Sequence, residues 1–447
     1  MSDLLAIGAS GLRAYQSALT TVSDNIANAS TPGYARRRVE LSENASTNGA
    51  LAQERSTVGN GVAVIGVQRL SEDLRNSAVR STGADLAKTQ AGITWLSRIQ
   101  DALTGNQLGS RISEFFNAAK GVAADPTSSP ARTSYLEAGT SIATAFQTTA
   151  RSLDQVSVDL DATAQSAIDQ VNRIGVTLAK VNEGLGRAQP GTTSQAQLLD
   201  QRDKALEELS AISDIAVTYN DGGRVDVALG GVNGAKLVSG VTAGTASYVR
   251  NASGTVSFAM LLAGQPSAVT PSGGALAGIV EGAQRIADAR TKLGDIASGF
   301  VAGVNQVQAQ GEDLDGNPGQ PMFAQTSDPA VFSLALTSWR GVAAAGPGKG
   351  ARDNSNIAAL QTLRASGGFE ADSTSLVSDN AATLSGRQQV ADAQGAIHDG
   401  AVNARDAVSG VNLDTEGVEL LRFQQAYQAS ARVIQVARET LQSLLSV

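Results

Sequence analysis

The chain has no cysteine and a single histidine, His398. The first absence excludes a disulfide framework and any thiolate metal site, and leaves the redox compartment open. The second excludes a multi-histidine metal cluster and a Ser-His-Asp relay with an imidazole to spare, so His398 is expected on a helix surface or in helix packing. Aromatic residues make up only 4% of the 447 positions. Packing must therefore rest largely on Ala, Val, Leu and Ile, which suits elongated helical domains better than one thick globule. Basic residues are outnumbered, giving a formal charge of -8. That balance argues against nucleic acid and anionic membrane surfaces as partners. The one basic run, Arg36, Arg37 and Arg38, reads as a solvated face. No window is apolar enough for a membrane span, and MSDLLAIGASGLRAYQ lacks the layout of a cleavable secretory signal, so any export is expected to use another route.

What the chain does have is hydrophobic spacing. Leu5, Gly8, Leu12, Tyr15, Leu19, Val22 and Ile26 alternate steps of three and four, and so do Leu420, Phe423, Tyr427, Ser430, Ile434, Ala437, Leu441 and Leu444 after an expected cap at Asp414. Both ends are predicted to be amphipathic helices with a heptad seam. A lone helix of this length is marginal in water, so the two must pack on each other, on the body or on other copies. Between them and the body stands DNIANASTPGY, residues 24–34. Asn25 and Asn28 compete with the helical backbone, Thr31 precedes a proline, and Pro32-Gly33 occupies the centre of a type II turn. The stretch is predicted to be a hinge, followed by a short strand in ARRRVEL.

Along the middle, a three-and-four seam from Ile142 to Leu185 predicts one long helix, with Val156, Leu160 and Ala164 as a stutter. Residues 195–211 are predicted to form a second helix folded back on it, and residues 83–104 and 110–123 two more. From residue 213 the period changes to alternation around the hairpin signal Asn220-Asp221-Gly222-Gly223, giving a β-rich insertion to about residue 264. Helix returns to about Gln310, and again beyond residue 370. A strand is possible at VFSLAL.

No motif carries chemistry. Asp313-Leu314-Asp315-Gly316-Asn317 begins like a calcium loop, but Pro318 and Ala324 stand where glycine and glutamate are needed, so a polar turn is expected. Gly230 to Gly234 lacks phosphate-loop spacing. Asp200 with Asp203, and Glu207 with Glu208, sit on one charge-alternating helix, the pattern of a solvated face. No catalytic residue, cofactor or metal is expected.

The terminal helix with DNIANASTPGY resembles the signature of bacterial flagellar rod, hook and hook-associated axial proteins. VNLDTEGVELLRFQQAYQASARVIQVARETLQSLL at the other end, AQLLDQRDKALEELS at 196–210 and GEDLDGNPGQPMF at 311–323 are similar to the hook-associated members at the junction of hook and filament. The resemblance implies a structural protein exported through the flagellar type III apparatus without a cleaved signal to an extracellular flagellum. It also implies self-assembly in a ring or helix, with hook protein on one side, the next hook-associated protein on the other, and an export chaperone. The fold expected is mainly α with a β-rich insertion, elongated and multidomain. Residues 1–60 with 400–447 would form a terminal coiled-coil assembly domain, 61–212 with 275–399 a rod-like helical body, and 213–274 a small β outer domain. The residues expected to carry assembly are Leu12, Tyr15, Leu19, Val22 and Ile26 with Phe423, Tyr427, Ile434, Leu441 and Leu444, and the hinge is Asn25, Asn28, Pro32 and Gly33. The alternative is a self-contained coiled-coil adhesin or binding module whose β insertion holds a ligand.

Overall fold

The structure is a computed structural model and describes residues 2–43 and 61–445. The amino-terminal helix α1, Ser2–Ala27, is followed by an antiparallel pair, β1 (Arg37–Glu43) and β2 (Val62–Arg69). The body begins with α2 (Asp73–Thr104), α3 (Leu108–Ala124) and α4 (Ser129–Arg187), and α5 (Thr193–Ile212) folds back along α4. At 59 residues, α4 is about 88 Å long. It starts 13 residues before the Ile142 seam because Ser128 caps it, accepting from the Ala131 N–H, with Pro130 in its first turn. Likewise α2 begins ten residues before the expected position 83.

The β insertion forms two sheets. One has the order β3 (Ile215–Tyr219), β4 (Val225–Leu229), β5 (Ala235–Ser239), β6 (Thr242–Ala243); the other has β7 (Thr245–Arg250), β8 (Val256–Leu262), β9 (Gln265–Val269). The Asn220 to Gly223 hairpin is present, with Gly222 and Gly223 at positive φ. Next come α6 (Gly274–Ala309), the small pair β10 (Phe323–Gln325) and β11 (Phe332–Leu334), α7 (Ser355–Gly367), α8 (Phe369–Ser409) and α9 (Leu413–Leu445). Gly368, at φ +64°, ends α7 and lets α8 start at once in a new direction. The fold is mainly helical with small sheets, and α1 and α9 pack together while α2 packs on α6 and α8.

The few aromatics are not spread along the rod. Seven of the nine phenylalanines gather in one cluster, in which Phe300 of α6 touches Phe115, Phe116, Phe146, Phe323, Phe332 and Phe369. Tyr135 joins through Phe115, and burial raises its phenol pKa. One aromatic knot therefore ties four helices, α3, α4, α6 and α8, and the β10–β11 pair, and joins the wider aliphatic core.

Strands are attached to helices by a repeated device. Asn172 and Asn182 of α4 each bond both the N–H and the C=O of one residue, Ala246 and Val225 respectively, at 2.7–3.1 Å. Asn305 of α6 does the same to Phe323, and Asn25 of α1 to Arg37. A carboxamide presents one donor and one acceptor in one plane, so it completes a strand residue as a neighbouring strand would.

Candidate assembly joint

The DNIANASTPGY segment lies where the terminal helices meet the body. Asn28 donates to the Asp24 carbonyl at 2.8 Å, which helps to stop the helix. The Tyr34 N–H bonds the Thr31 carbonyl at 3.1 Å across Pro32 and Gly33, and Gly33 has φ +81°, as a type II turn needs. The turn rests on α5: a side chain at Gly33 would meet Lys204 at 3.3 Å. Pro32 and Gly33 are exposed, Asn28 is half-buried, and Asn25 is buried.

Asn25 is the hub. Beyond its two bonds to Arg37, its amide donates to Glu416 Oε2 at 2.9 Å and its carbonyl oxygen accepts from the Tyr34 hydroxyl at 2.9 Å. Burial, opposed by Arg37, pushes the Tyr34 phenol up to about 12, so it stays a neutral donor. Glu416, only 1% exposed, receives Arg36 at 2.6 Å on its other oxygen. It lies in the first turn of α9, where a carboxylate also suits the helix dipole. The Asn412 side chain caps that helix, accepting from the N–H groups of Asp414 and Thr415, in place of the expected cap at Asp414. The Arg36 main chain adds two ties, its N–H to the Ser409 carbonyl and its carbonyl to the Leu70 N–H.

A chain of alternating charge continues beneath. Arg37 meets Asp200 at 2.8 Å, Arg69 bridges Asp200 at 2.6 Å and Asp203 at 2.8 Å, and Arg202 holds Asp203 at 2.7 Å. Burial alone would lower the Arg69 pKa, but Asp203 and Asp200 outweigh it and the net direction is upward. Asp200 and Asp203 are thus not on a solvated face, and Arg36 and Arg37 are not solvent cations. All four are mostly buried and paired, because their partners come from segments far away in sequence. Glu207 meets Arg405 at 2.9 Å, linking α5 to α8. A cleft of about 740 Å³ opens between the turn, α5 and the α8–α9 connection.

Beyond the joint, α1 is held between α9 and the β1–β2 pair. Its buried stripe is Gly8, Gly11, Ala14, Ala18, Thr21, Val22 and Asn25. This stripe is rotated from the expected seam, because small residues let neighbouring backbones approach. A side chain at Gly8 would stand 2.6 Å from Ile434, and one at Gly11 2.7 Å from Ser430. Tyr15 meets Phe423 with ring centroids 6.4 Å apart. Of the residues expected to carry assembly, Val22 is buried, while Leu12, Tyr15, Leu19, Ile26, Phe423 and Ile434 are half-buried. Tyr427 and Leu441 are each 37% exposed, and the side chain of Leu444 lies outside the described residues. A second apolar stripe on α9 was not foreseen: Val418, Leu421, Val433 and Val436, 40–67% exposed. Its two steps of three, 418 to 421 and 433 to 436, were the available signal.

The other candidates fall into structural roles. His398 of α8 contacts Thr82 of α2 at 3.1 Å. Asp313 accepts from the Asp315 and Asn317 N–H groups within its own turn, and Asp315 pairs with Arg340. Among the described residues no helix is long and apolar enough to cross a membrane.

Comparison with known proteins agrees with this architecture. Residues 96–323 match the model of the flagellar hook-associated protein FlgK helical domain. Residues 5–34 match that of the flagella basal body rod protein, and residues 405–447 that of the flagellar basal body rod FlgEFG protein C-terminal region. Flagellar hook-associated protein 1 of Salmonella typhimurium is 29% identical over 357 residues, covering 74% of this chain and 61% of its own length. The protein of the same name in Bacillus subtilis is 26% identical, covering 97% of this chain and 96% of its own length. The chain thus spans about three-fifths of the Salmonella relative. The solved structure of the flagellar hook junction protein FlgK from Burkholderia pseudomallei is similar in fold, with a TM-score of 0.51, 22% identity, and coverage of 56% of this chain and 47% of that one.

Proposed function

The chain belongs to the family of the flagellar hook-associated protein FlgK, and we propose that it is a structural, non-enzymatic element of the junction between hook and filament. It builds that junction by packing its terminal helices against those of other copies. The supporting observation is the second apolar face of α9. A helix that is apolar on two faces belongs inside a larger assembly, and α1 covers only one of them. Covering Val418, Leu421, Val433 and Val436 would contribute on the order of 5 kcal/mol per copy before ordering costs. Leu12, Tyr15, Leu19, Phe423 and Ile434 are half-buried on the side where α1 and α9 meet. In this reading hook protein contacts one side and the next hook-associated protein the other, an export chaperone shields α9 beforehand, and export uses the flagellar type III route. The terminal assembly unit, rod-like body and β outer part of the sequence reading serve as the working division.

Pairing of α1 with α9 within one chain is also what a self-contained binding module requires. Such a module gives the outer stripe of α9 no purpose. The test is a charge on that stripe: Leu421→Glu should lower incorporation into isolated flagella at least tenfold while the monomer keeps its thermal transition. A charge at Leu19 or Leu441 should act in the same direction. Normal incorporation of Leu421→Glu would overturn the proposal.

A further inference from the structure

The second sheet of the insertion, β7–β8–β9, buries one face and leaves the other uncovered. Ala246, Phe258, Met260 and Val269 point inward. On a half-buried antiparallel sheet the outward positions are usually polar and charged. Here they include Ser247, Val249, Ser257, Leu261, Pro266 and Ala268, with Val249 and Leu261 about half exposed. The register sets them side by side, Val249 opposite Ser257 and Leu261 opposite Pro266. From Leu237 through Val280 the only charged residue is Arg250, in a chain that is 17% charged overall. Arg250 is spent on α4, bonded to Asp161 and to the Ser157 carbonyl.

The edges of this sheet do not invite a further strand. Pro266 on β9 has no N–H to offer, and β7 gives the Ala246 N–H and C=O to Asn172. The face itself is the available surface.

A second surface poor in charge lies elsewhere on the body, with the exposed Asp392 and Asp399 along its border. The outward side of α8 between residues 382 and 400 presents Gln389, Val390, Ala393, Ala396 and Ile397, with Val390 44% and Ile397 60% exposed. The sheet and this side of α8 stand on different flanks. α6 lies between them, meeting α8 through Glu281–Arg387 and the β7–β8 turn through Ala287 against Gly254.

We propose that the outer face of β7–β8–β9 on one copy packs against the outer side of α8 on the next, forming the lateral contact of the assembled ring or helix. Copies that each carry a net charge of -8 repel, and they approach most readily where charge is sparse. A strongly charged partner would call for a cluster of countercharge, and the sheet face supplies none while α8 has only Asp392 and Asp399 at its border. Two different faces on different flanks make a head-to-tail contact that propagates, whereas one face meeting itself would close a dimer. The sheet face measures roughly 20 by 15 Å, and the contact falls below the area that holds a stable dimer alone. It therefore forms only where the terminal helices have already aligned the copies.

This inference rests on the assembly reading and is tested by cross-linking, for which a chain without cysteine is suited. The double variant Ser247→Cys with Ala393→Cys would replace the hook-associated protein of a flagellated bacterium, and isolated flagella would be oxidised. Cross-linked dimers and longer ladders are expected at least tenfold above the purified monomer at equal concentration, and neither single variant should cross-link. Incorporation without cross-links would overturn the lateral contact and leave the assembly reading standing. Cross-linking of Ser247→Cys alone would overturn the head-to-tail arrangement. Failure of the parent chain to incorporate would overturn the assembly reading and this inference with it.

Discussion

Replacing Asn25 with alanine removes four hydrogen bonds at one point: those to the Arg37 N–H and C=O, that to Glu416 and that from Tyr34. Arg37 is 6% exposed, so both of its main-chain groups lose their partner in a place water reaches poorly. Each buried group left unsatisfied costs about 1–3 kcal/mol, and a bond to an ionised carboxylate is worth about 1.5–3 kcal/mol. Water entering the vacated volume recovers part of this, so the local loss should be about 3–5 kcal/mol. Hydrogen exchange is the suitable assay, because the joint can open without unfolding the body. At tenfold per 1.4 kcal/mol, exchange of the Arg37 and Glu416 amides should accelerate by roughly a hundredfold to a few thousandfold. Asn28→Ala is the control: this half-buried residue bonds only the Asp24 carbonyl and the Thr31 hydroxyl, and its loss should cost about 1 kcal/mol or less. Asn25→Asp, the same size as the parent, should be at least as damaging as alanine at neutral pH, since it sets a carboxylate against Glu416. Equal effects at positions 25 and 28, or a change under threefold at position 25, would refute the hub role.

Two further outcomes test the packing around this joint and the body. Gly8→Ala should push α9 from α1 through Ile434 and cost about 1–3 kcal/mol, and adding Ile434→Ala should restore protection in both helices; no rescue would show that their spacing is not set there. Glu370 at the start of α8 is held below its ordinary value of 4.5, chiefly by hydrogen bonds from Arg364 and also by that from Ser113, against the opposing effect of burial. A folded-state value below the unfolded one contributes stability that is present above pH 4.5 and lost as pH falls through the lowered value. Glu370→Gln should therefore cost about 1 kcal/mol or less at pH 7, given its exposure to solvent, and flatten the acid limb of a denaturation curve; an unchanged acid limb would count against the ion pair.

The sequence was most legible where one residue's neighbours in space are its neighbours along the chain. Three-and-four spacing located α1, α4 and α9, and Asn220 to Gly223 and Thr31 to Tyr34 located their turns, because period and turn chemistry are local. The start of α4 was missed because residues 129–141 carry few large apolar side chains, and Ser128 with Pro130 was the signal there. The joint was half legible. Asn25, Asn28, Pro32 and Gly33 read as a hinge, but the partners that make Asn25 structural lie 12 and 391 residues away. Asp200 and Asp203 at a spacing of three look like an exposed helical face until Arg37 and Arg69 arrive on a hairpin from another part of the chain. The Asn172, Asn182 and Asn305 clamps were invisible for the same reason, since an isolated asparagine on a helix gives no hint of the strand it will complete.

A buried network of arginines and carboxylates is a costly way to gain stability, because desolvation offsets most of the attraction. Its value here is geometric. α1 has 26 residues, so it is a lever about 39 Å long, and a 10° error at its root would move its tip by about 7 Å, more than the 5.4 Å pitch of a helix. An error of that size shifts every side chain on α1 and α9 past its counterpart on a neighbouring copy by a full turn. Apolar packing is tolerant of direction, whereas paired charges with fixed hydrogen-bond geometry are not. The joint therefore places directional contacts, Glu416 to Arg36 and Asn25 and Asp200 to Arg37 and Arg69, at the one point where a small rotation is amplified most, and leaves the nondirectional apolar surface to the helices beyond it.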